Sequence, residues 1–158
     1  NIGGGSSDLI YVVDGKIKYR KSFNIGTIRL LNTLVEQSDW EAMKAEIKAN
    51  IKGPLPVVAI GSGGNINKIF SLSKKKSGKP LPLALLKKNY ETFKSLSTEE
   101  LIHIYGLRED RADVIVPAMQ IYINILRWAK IKEIYVPRLD LVDGLVRALY
   151  QEVGPKPG

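Results

Sequence analysis

Apolar and polar positions alternate from Ser7 to Val13, and again more loosely from Lys16 to Phe23. Between them stands Asp14-Gly15, a pair with a strong preference for two-residue hairpin turns, so this stretch predicts an antiparallel hairpin. The period then lengthens. In SDWEAMKAEIKANIKG, Trp40, Met43, Ile47 and Ile51 recur at helical intervals, Ser38 stands as N-cap with Glu41 as its capping-box partner, and Gly53 ends the helix. PLPVVAI is a short apolar run of the buried-strand type, and it leads into GSGGNINKIF, which reads as a bare loop. SKKKSGKP reads as a solvated loop, LPLALLKKNYETFKSLS as a helix, and STEELIHIYGL as a short capped helix ended by Gly106. RADVIVPAMQIYINILRWAKIK carries a long apolar helix with Pro117 in its first turn and Tyr122 and Trp128 on its core face. EIYVP predicts a strand, and LDLVDGLVRALYQEV an amphipathic helix before the tail GPKPG. Hairpin, helix, strand, helices, strand, helix is the order of an α/β domain whose helices cover a mixed sheet.

Composition narrows the partners. The chain has 158 residues, 44% of them hydrophobic, which is the size and content of one domain with a real core. Its net charge of +8 favours an anionic ligand: phosphate, nucleotide, polyphosphate or nucleic acid. The absence of cysteine excludes a disulfide framework and a thiolate zinc site, and a single histidine, His103, excludes a histidine metal cluster. His103 is expected to be structural or on the surface. No apolar run approaches a membrane span and no signal-peptide pattern opens the chain, so the expected location is the cytoplasm. No initiator methionine precedes Asn1, and the first residues read like the interior of a larger domain, so the chain is expected to be a piece of a longer one.

The opening NIGGGSSDL asks why three glycines stand together, since each costs conformational entropy. A tight turn is one answer; a loop whose N–H groups and serine hydroxyls wrap a phosphate is the other. GSGGNI, roughly one helix further on, is a second loop of the same kind, and two such loops facing each other would offer convergent backbone donors to a chain of phosphates. Other phosphate motifs fail on spacing. GSGGNI has isoleucine where a dinucleotide fingerprint needs its third glycine, and SKKKSGKP lacks both the first glycine and the final Ser or Thr of a Walker loop. A serine nucleophile finds no support either, and Lys74, Lys75, Lys76 and Lys79 read as solvated surface. The basic stretches lack interleaved aromatics, so nucleic acid is not the expected partner.

These residues also carry a resemblance. NIGGGSSDL resembles the second phosphate loop of the exopolyphosphatase and guanosine pentaphosphate phosphohydrolase family, where the usual form begins with aspartate. FNIGTIRL is similar to the segment after that family's hairpin, VVAIGSGGNI to its strand and adenosine-type loop, GLREDRADVIVPAMQIYINIL to its Arg-Ala-Asp signature, and DGLV to its closing helix. The resemblance implies a ribonuclease H-like domain of the actin-like ATPase superfamily, occupying residues 1–158 as the second half of a two-domain phosphatase module whose N-terminal half is absent. It implies a hydrolase acting on polyphosphate or on guanosine penta- or tetraphosphate with magnesium. The catalytic glutamate is expected in the missing domain, and a homodimer in the full-length protein. Gly3, Gly4, Gly5, Ser6 and Ser7 would cradle phosphate, with Gly61, Ser62, Gly63 and Gly64 as the opposite wall. Asn1 occupies the place of the family's loop aspartate, brings no charge to a metal, and leaves a non-catalytic nucleotide- or phosphate-binding module as the alternative. Arg29 and Arg111 are further ligand candidates, Asp113 reads as an ion-pair partner of Arg111 at a helix start, and Asp8 is a weak metal candidate.

Overall fold

The structure is a computed structural model and describes residues 1–53 and 56–137. The predicted hairpin forms at its expected bounds, β1 (Ser7–Val13) against β2 (Lys16–Phe23). Asp14 at φ 53° and Gly15 at φ 73° supply the two left-handed residues that a twist-matched two-residue turn requires. The register slips between Tyr11 and Val12, a bulge that leaves Leu9, Tyr11, Ile17 and Tyr19 half-buried on one face. That face is fastened to α2 (Gln37–Asn50), where the Tyr19 hydroxyl donates to Glu46 Oε2 at 2.7 Å and Lys21 Nζ lies 3.4 Å from Glu46 Oε1.

α2 begins earlier than its pattern suggests. Glu36, not Ser38, is the N-cap, and Asp39, not Glu41, closes the box by accepting from the Glu36 N–H at 2.8 Å. Two overlapping polar pairs compete at this end, and the one reciprocated from both sides sets the start. Before it lies an unpredicted short helix, α1 (Thr27–Leu31).

PLPVVAI yields much less strand than its apolar run implies. Only β3 (Ala59–Ile60) is regular, and Val58 and Ile60 are 64% and 53% exposed, in contrast to a buried strand. Pro56 has no N–H to give to a ladder, which shortens the pairing. GSGGNINKIF is corrected further: only its first residues form a loop, and α3 (Gly64–Leu72) follows, turning Ile66 and Ile69 into the core. Leu81–Pro82, expected inside a helix, is the edge strand β4, with α4 (Leu83–Lys94) beginning directly after it. α5 (Thr98–Tyr105) carries the predicted cap: Ser97 Oγ accepts from the Glu100 N–H at 3.1 Å, and Gly106 closes the helix at φ 64°.

The Arg-Ala-Asp segment divides into α6 (Glu109–Ala112) and α7 (Ile115–Trp128). α7 is the central column of the core. Ile115, Ala118, Met119, Ile121, Tyr122, Ile123 and Leu126 are all buried, and the helix packs against α1, α2, α3 and α4. Trp128 is half-buried and meets Trp40 edge to face with ring centroids 6.0 Å apart. β5 (Glu133–Tyr135) runs parallel to β3 and antiparallel to β4, giving a mixed sheet ordered β3-β5-β4 beside the hairpin. The result is an α/β fold with a mixed sheet flanked by helices. The segment LDLVDGLVRALYQEV, including DGLV, lies outside the described residues. No helix among the described residues is long and apolar enough to cross a membrane.

The hairpin clamp gives a pH prediction. The Tyr19 hydroxyl first, and Lys21 next, hold the Glu46 carboxyl below the ordinary carboxylate value. A depressed acid stabilises the fold fully above its unfolded pKa of 4.5 and loses that contribution as pH falls through the folded value. Glu46→Gln should therefore melt below the wild type at about pH 7 and lose less between about pH 6 and about pH 3, as followed by circular dichroism. Equal losses in the two proteins contradict the clamp.

Candidate functional site

The first glycine loop forms the tight turn that its sequence allowed. Asn1 and Asp8 exchange main-chain hydrogen bonds of 3.1 and 2.8 Å, Ile2 bridges to Ser7, and the Gly3 N–H donates to the Ser6 carbonyl at 2.9 Å, so Gly3–Ser6 is a tight turn. Its carbonyls all turn to one side. The Gly3 oxygen accepts from the Thr27 N–H at 3.0 Å, and the Gly4 oxygen from Ile28 and Arg29 at 3.0 and 3.2 Å. The Gly5 oxygen accepts from Arg29 Nε at 3.0 Å. α1, whose N-cap Gly26 has no side chain, is thus capped by the loop.

In a trans peptide the C=O and the following N–H point in opposite directions. Holding three successive carbonyls against α1 therefore aims the N–H groups of Gly4, Gly5 and Ser6 the other way, and none of them bonds to another described residue. Such a run of outward N–H groups is a set of donors of the kind an anion nest uses. Its seat depends on Gly26, where a Cβ would lie 2.3 Å from the Gly4 oxygen. Ser6 is half-buried and borders the turn, whereas Ser7 does not join it. The Ser7 side chain is fully buried and its hydroxyl donates to the Ile25 carbonyl at 2.5 Å, which commits it to the fold.

The second loop lies against the first. The Gly61 N–H extends the sheet onto the Tyr135 carbonyl at 2.8 Å, Ser62 follows, and Gly63 caps α3 at φ 110° and ψ 172°, a conformation essentially confined to glycine. A Cβ on Gly63 would sit 2.4 Å from Asn1 Oδ1, so the Asn1 amide rests directly on this turn. One residue into α3, the buried Asn65 donates from Nδ2 to the Ile2 carbonyl at 2.9 Å and accepts from Arg111 Nη1 at 2.5 Å. Arg111 also lies over Gly64, where a Cβ would stand 2.9 Å from Nη2. Beneath the first loop the Ile2 main chain approaches the Tyr122 hydroxyl, a phenol pushed up chiefly by burial.

Beside Gly64 opens a cavity of about 330 Å³ lined by Gly64, Asn67, Lys68, Gly106, Arg108 and Arg111. Three cations line it, of which Arg108 is paired with Asp110 at 2.9 Å, and the N-terminus of α3, which has no acidic residue in its first turn, adds its partial positive charge. Arg111 does not pair with Asp113; the contact of Asp113 is with Thr98 Oγ1 at 3.4 Å. Lys74, Lys75, Lys76 and Lys79 are exposed and line no part of this cavity, and His103 is exposed on α5. Gly26, Asn65, Lys68 and Arg108 were not singled out by sequence. Their roles come from apposition of distant segments, although Gly26, Asn65 and Arg108 lie in marked stretches, FNIGTIRL, VVAIGSGGNI and GLREDRADVIVPAMQIYINIL.

Among the described residues the donor set does not fit a magnesium ion. Among the described residues no group of three or more His, Asp or Glu side chains could hold a metal. The Asn1 amide oxygen is turned onto Gly63, Asp8 is an exposed residue of the hairpin, and the rest of the cradle is N–H and guanidinium, which suits an anion.

Fold and site together define an α/β domain with two apposed glycine turns beside a cationic cavity. The chain matches the Ppx/GppA phosphatase family model over residues 1–151 and belongs to that family. It is similar to the crystal structure of the Aquifex aeolicus family member, with 22% identity, a TM-score of 0.74, and coverage of 98% of this chain and 56% of that one. It is also similar to an exopolyphosphatase from Cytophaga hutchinsonii, with 22% identity, a TM-score of 0.69, and coverage of 96% and 56%. The chain therefore spans little more than half the length of these structures. No curated protein sequence matches it significantly.

The two glycine turns respond differently to a methyl group. Gly63→Ala should destabilise the chain by ~1–3 kcal/mol in urea titration, because its backbone region excludes other residues. Gly5→Ala, with no atom within 4 Å of the added Cβ, should stay within ~1 kcal/mol of wild type. Equal effects would contradict the assigned geometry.

Proposed function

We propose that this chain is the phosphate-binding half of a phosphohydrolase that releases terminal phosphate from inorganic polyphosphate or from guanosine pentaphosphate. The observation that carries the reading is the set of outward N–H groups on Gly4, Gly5 and Ser6, fixed by carbonyls held on α1 and set beside a cavity whose charged lining side chains are all positive. Phosphoryl transfer depends mainly on positioning and on stabilising spread negative charge, and preorganised backbone donors do this with little reorganisation. Family membership and likeness to an exopolyphosphatase support the reaction class.

The fold reading that goes with this is a ribonuclease H-like domain of the actin-like superfamily, supported by a glycine turn feeding a hairpin and by the parallel pair β3 and β5. The carboxylate that activates water is assigned to the half not included in this chain, and the chain alone is expected to be inactive. Magnesium, in this reading, arrives on the phosphate oxygens of the ligand, which is its usual manner of binding. The assigned location is the cytoplasm, and neither a membrane nor nucleic acid is assigned as partner. The second reading is a regulatory module that binds phosphates without turnover, favoured by Asn1 standing where the resemblance places an acid.

Calorimetric titration with long-chain polyphosphate tests the proposal. The chain should bind, and Arg111→Met should weaken binding by about tenfold or more, the loss of one hydrogen bond to a charged group of ~1.5–3 kcal/mol. Lys75→Met, on the exposed loop, should change affinity by less than about twofold. The chain alone should release no phosphate. Absence of binding, or equal losses from Arg111→Met and Lys75→Met, contradicts the assignment.

A further inference from the structure

Asn65 is 7% exposed and uses both ends of its amide to join three segments that are distant in sequence. Its Nδ2 holds the Ile2 carbonyl, the last residue before the glycine turn, and its Oδ1 holds Arg111, which lines the cationic cavity. Only one orientation of the amide satisfies both partners, since the carbonyl needs a donor and the guanidinium an acceptor. Asn65 itself is not among the residues lining the cavity, and its side chain is spent on the two neighbours. The first nest, the start of α3 and the guanidinium of Arg111 are thereby held at one fixed separation.

We propose that Asn65 is a positioning residue that fixes the two anion cradles relative to one another, so that the chain prefers linked phosphates to single ones. The proposal rests on the phosphate-chain reading and deepens it. A single phosphate needs one cradle and is indifferent to the distance between two. A chain of phosphates gains from both only if the second capture follows from the first at high effective concentration, and that gain vanishes when the spacing is lost. Asn65 therefore acts on the difference between the two ligands, not on phosphate binding as such.

The test compares tripolyphosphate with orthophosphate by equilibrium titration of the wild type, Asn65→Ala and Asn65→Asp, with circular dichroism confirming the fold. Asn65→Asp keeps an acceptor for Arg111, removes the donor to Ile2, and serves if Asn65→Ala does not fold. The wild type should bind tripolyphosphate about 100-fold more tightly than orthophosphate. Each variant should lose about tenfold or more of its tripolyphosphate affinity and less than about threefold of its orthophosphate affinity. Equal proportional losses for both ligands, or an unchanged ratio, overturns the proposal while leaving the phosphate reading intact. Failure of the wild type to bind either ligand overturns that reading and this one together.

Discussion

The site depends on the opposed directions of C=O and N–H in a trans peptide. Gly3, Gly4 and Gly5 give their carbonyls to α1, two of them to its first N–H groups and the third to Arg29 Nε. Each carbonyl so held commits the next N–H to the far side. The same contacts cap a five-residue helix that has no side-chain cap and fix the direction of an anion nest. Both depend on the bare Cα of Gly26, because a methyl group there would strike the Gly4 carbonyl. Helix, turn and nest are consequences of one close approach.

From that contact the rest of the site is a matter of anchoring. Asn65 holds the Ile2 main chain from α3, and Asn1 rests on Gly63. α7 supplies the largest share of buried apolar side chains, so the platform under the first loop is the rigid centre of the domain. Positive charge is then concentrated by Lys68, Arg108 and Arg111 on one side of the second loop. The net +8 of the chain is a weaker indicator than this placement, since the lysines between Lys74 and Lys79 carry charge but line no cavity. The chain covers 56% of the length of the Aquifex aeolicus family member.

Local signals were legible where a local interaction decides the outcome. The hairpin follows from alternation around Asp14-Gly15, and α5 from Ser97, Glu100 and Gly106, each within a few residues of its partners. α1 was not legible because its cap comes from residues 3–5, more than twenty positions earlier. α3 was hidden by Gly63 and Gly64, which read as breakers although Ile66 and Ile69 already follow a helical spacing. Two residues are too few to announce β4, and Pro82 argues against a strand anywhere but at an edge, which is where it lies. In the site, glycine runs marked both loops. Nothing local singled out Asn65, Lys68 or Arg108 within the stretches that contain them, or told Ser7, whose hydroxyl is buried on Ile25, from Ser6. The expected closing helix lies outside the described residues.

The most direct measurement of the central claim is amide chemical-shift mapping by NMR during titration with tripolyphosphate. The account predicts that the N–H resonances of Gly4, Gly5 and Ser6 move together with those of Gly64 and Asn65 along one saturation curve, because one linked-phosphate ligand spans both cradles. Shifts confined to Lys74–Lys79, or separate saturation curves for the two loops, would contradict it.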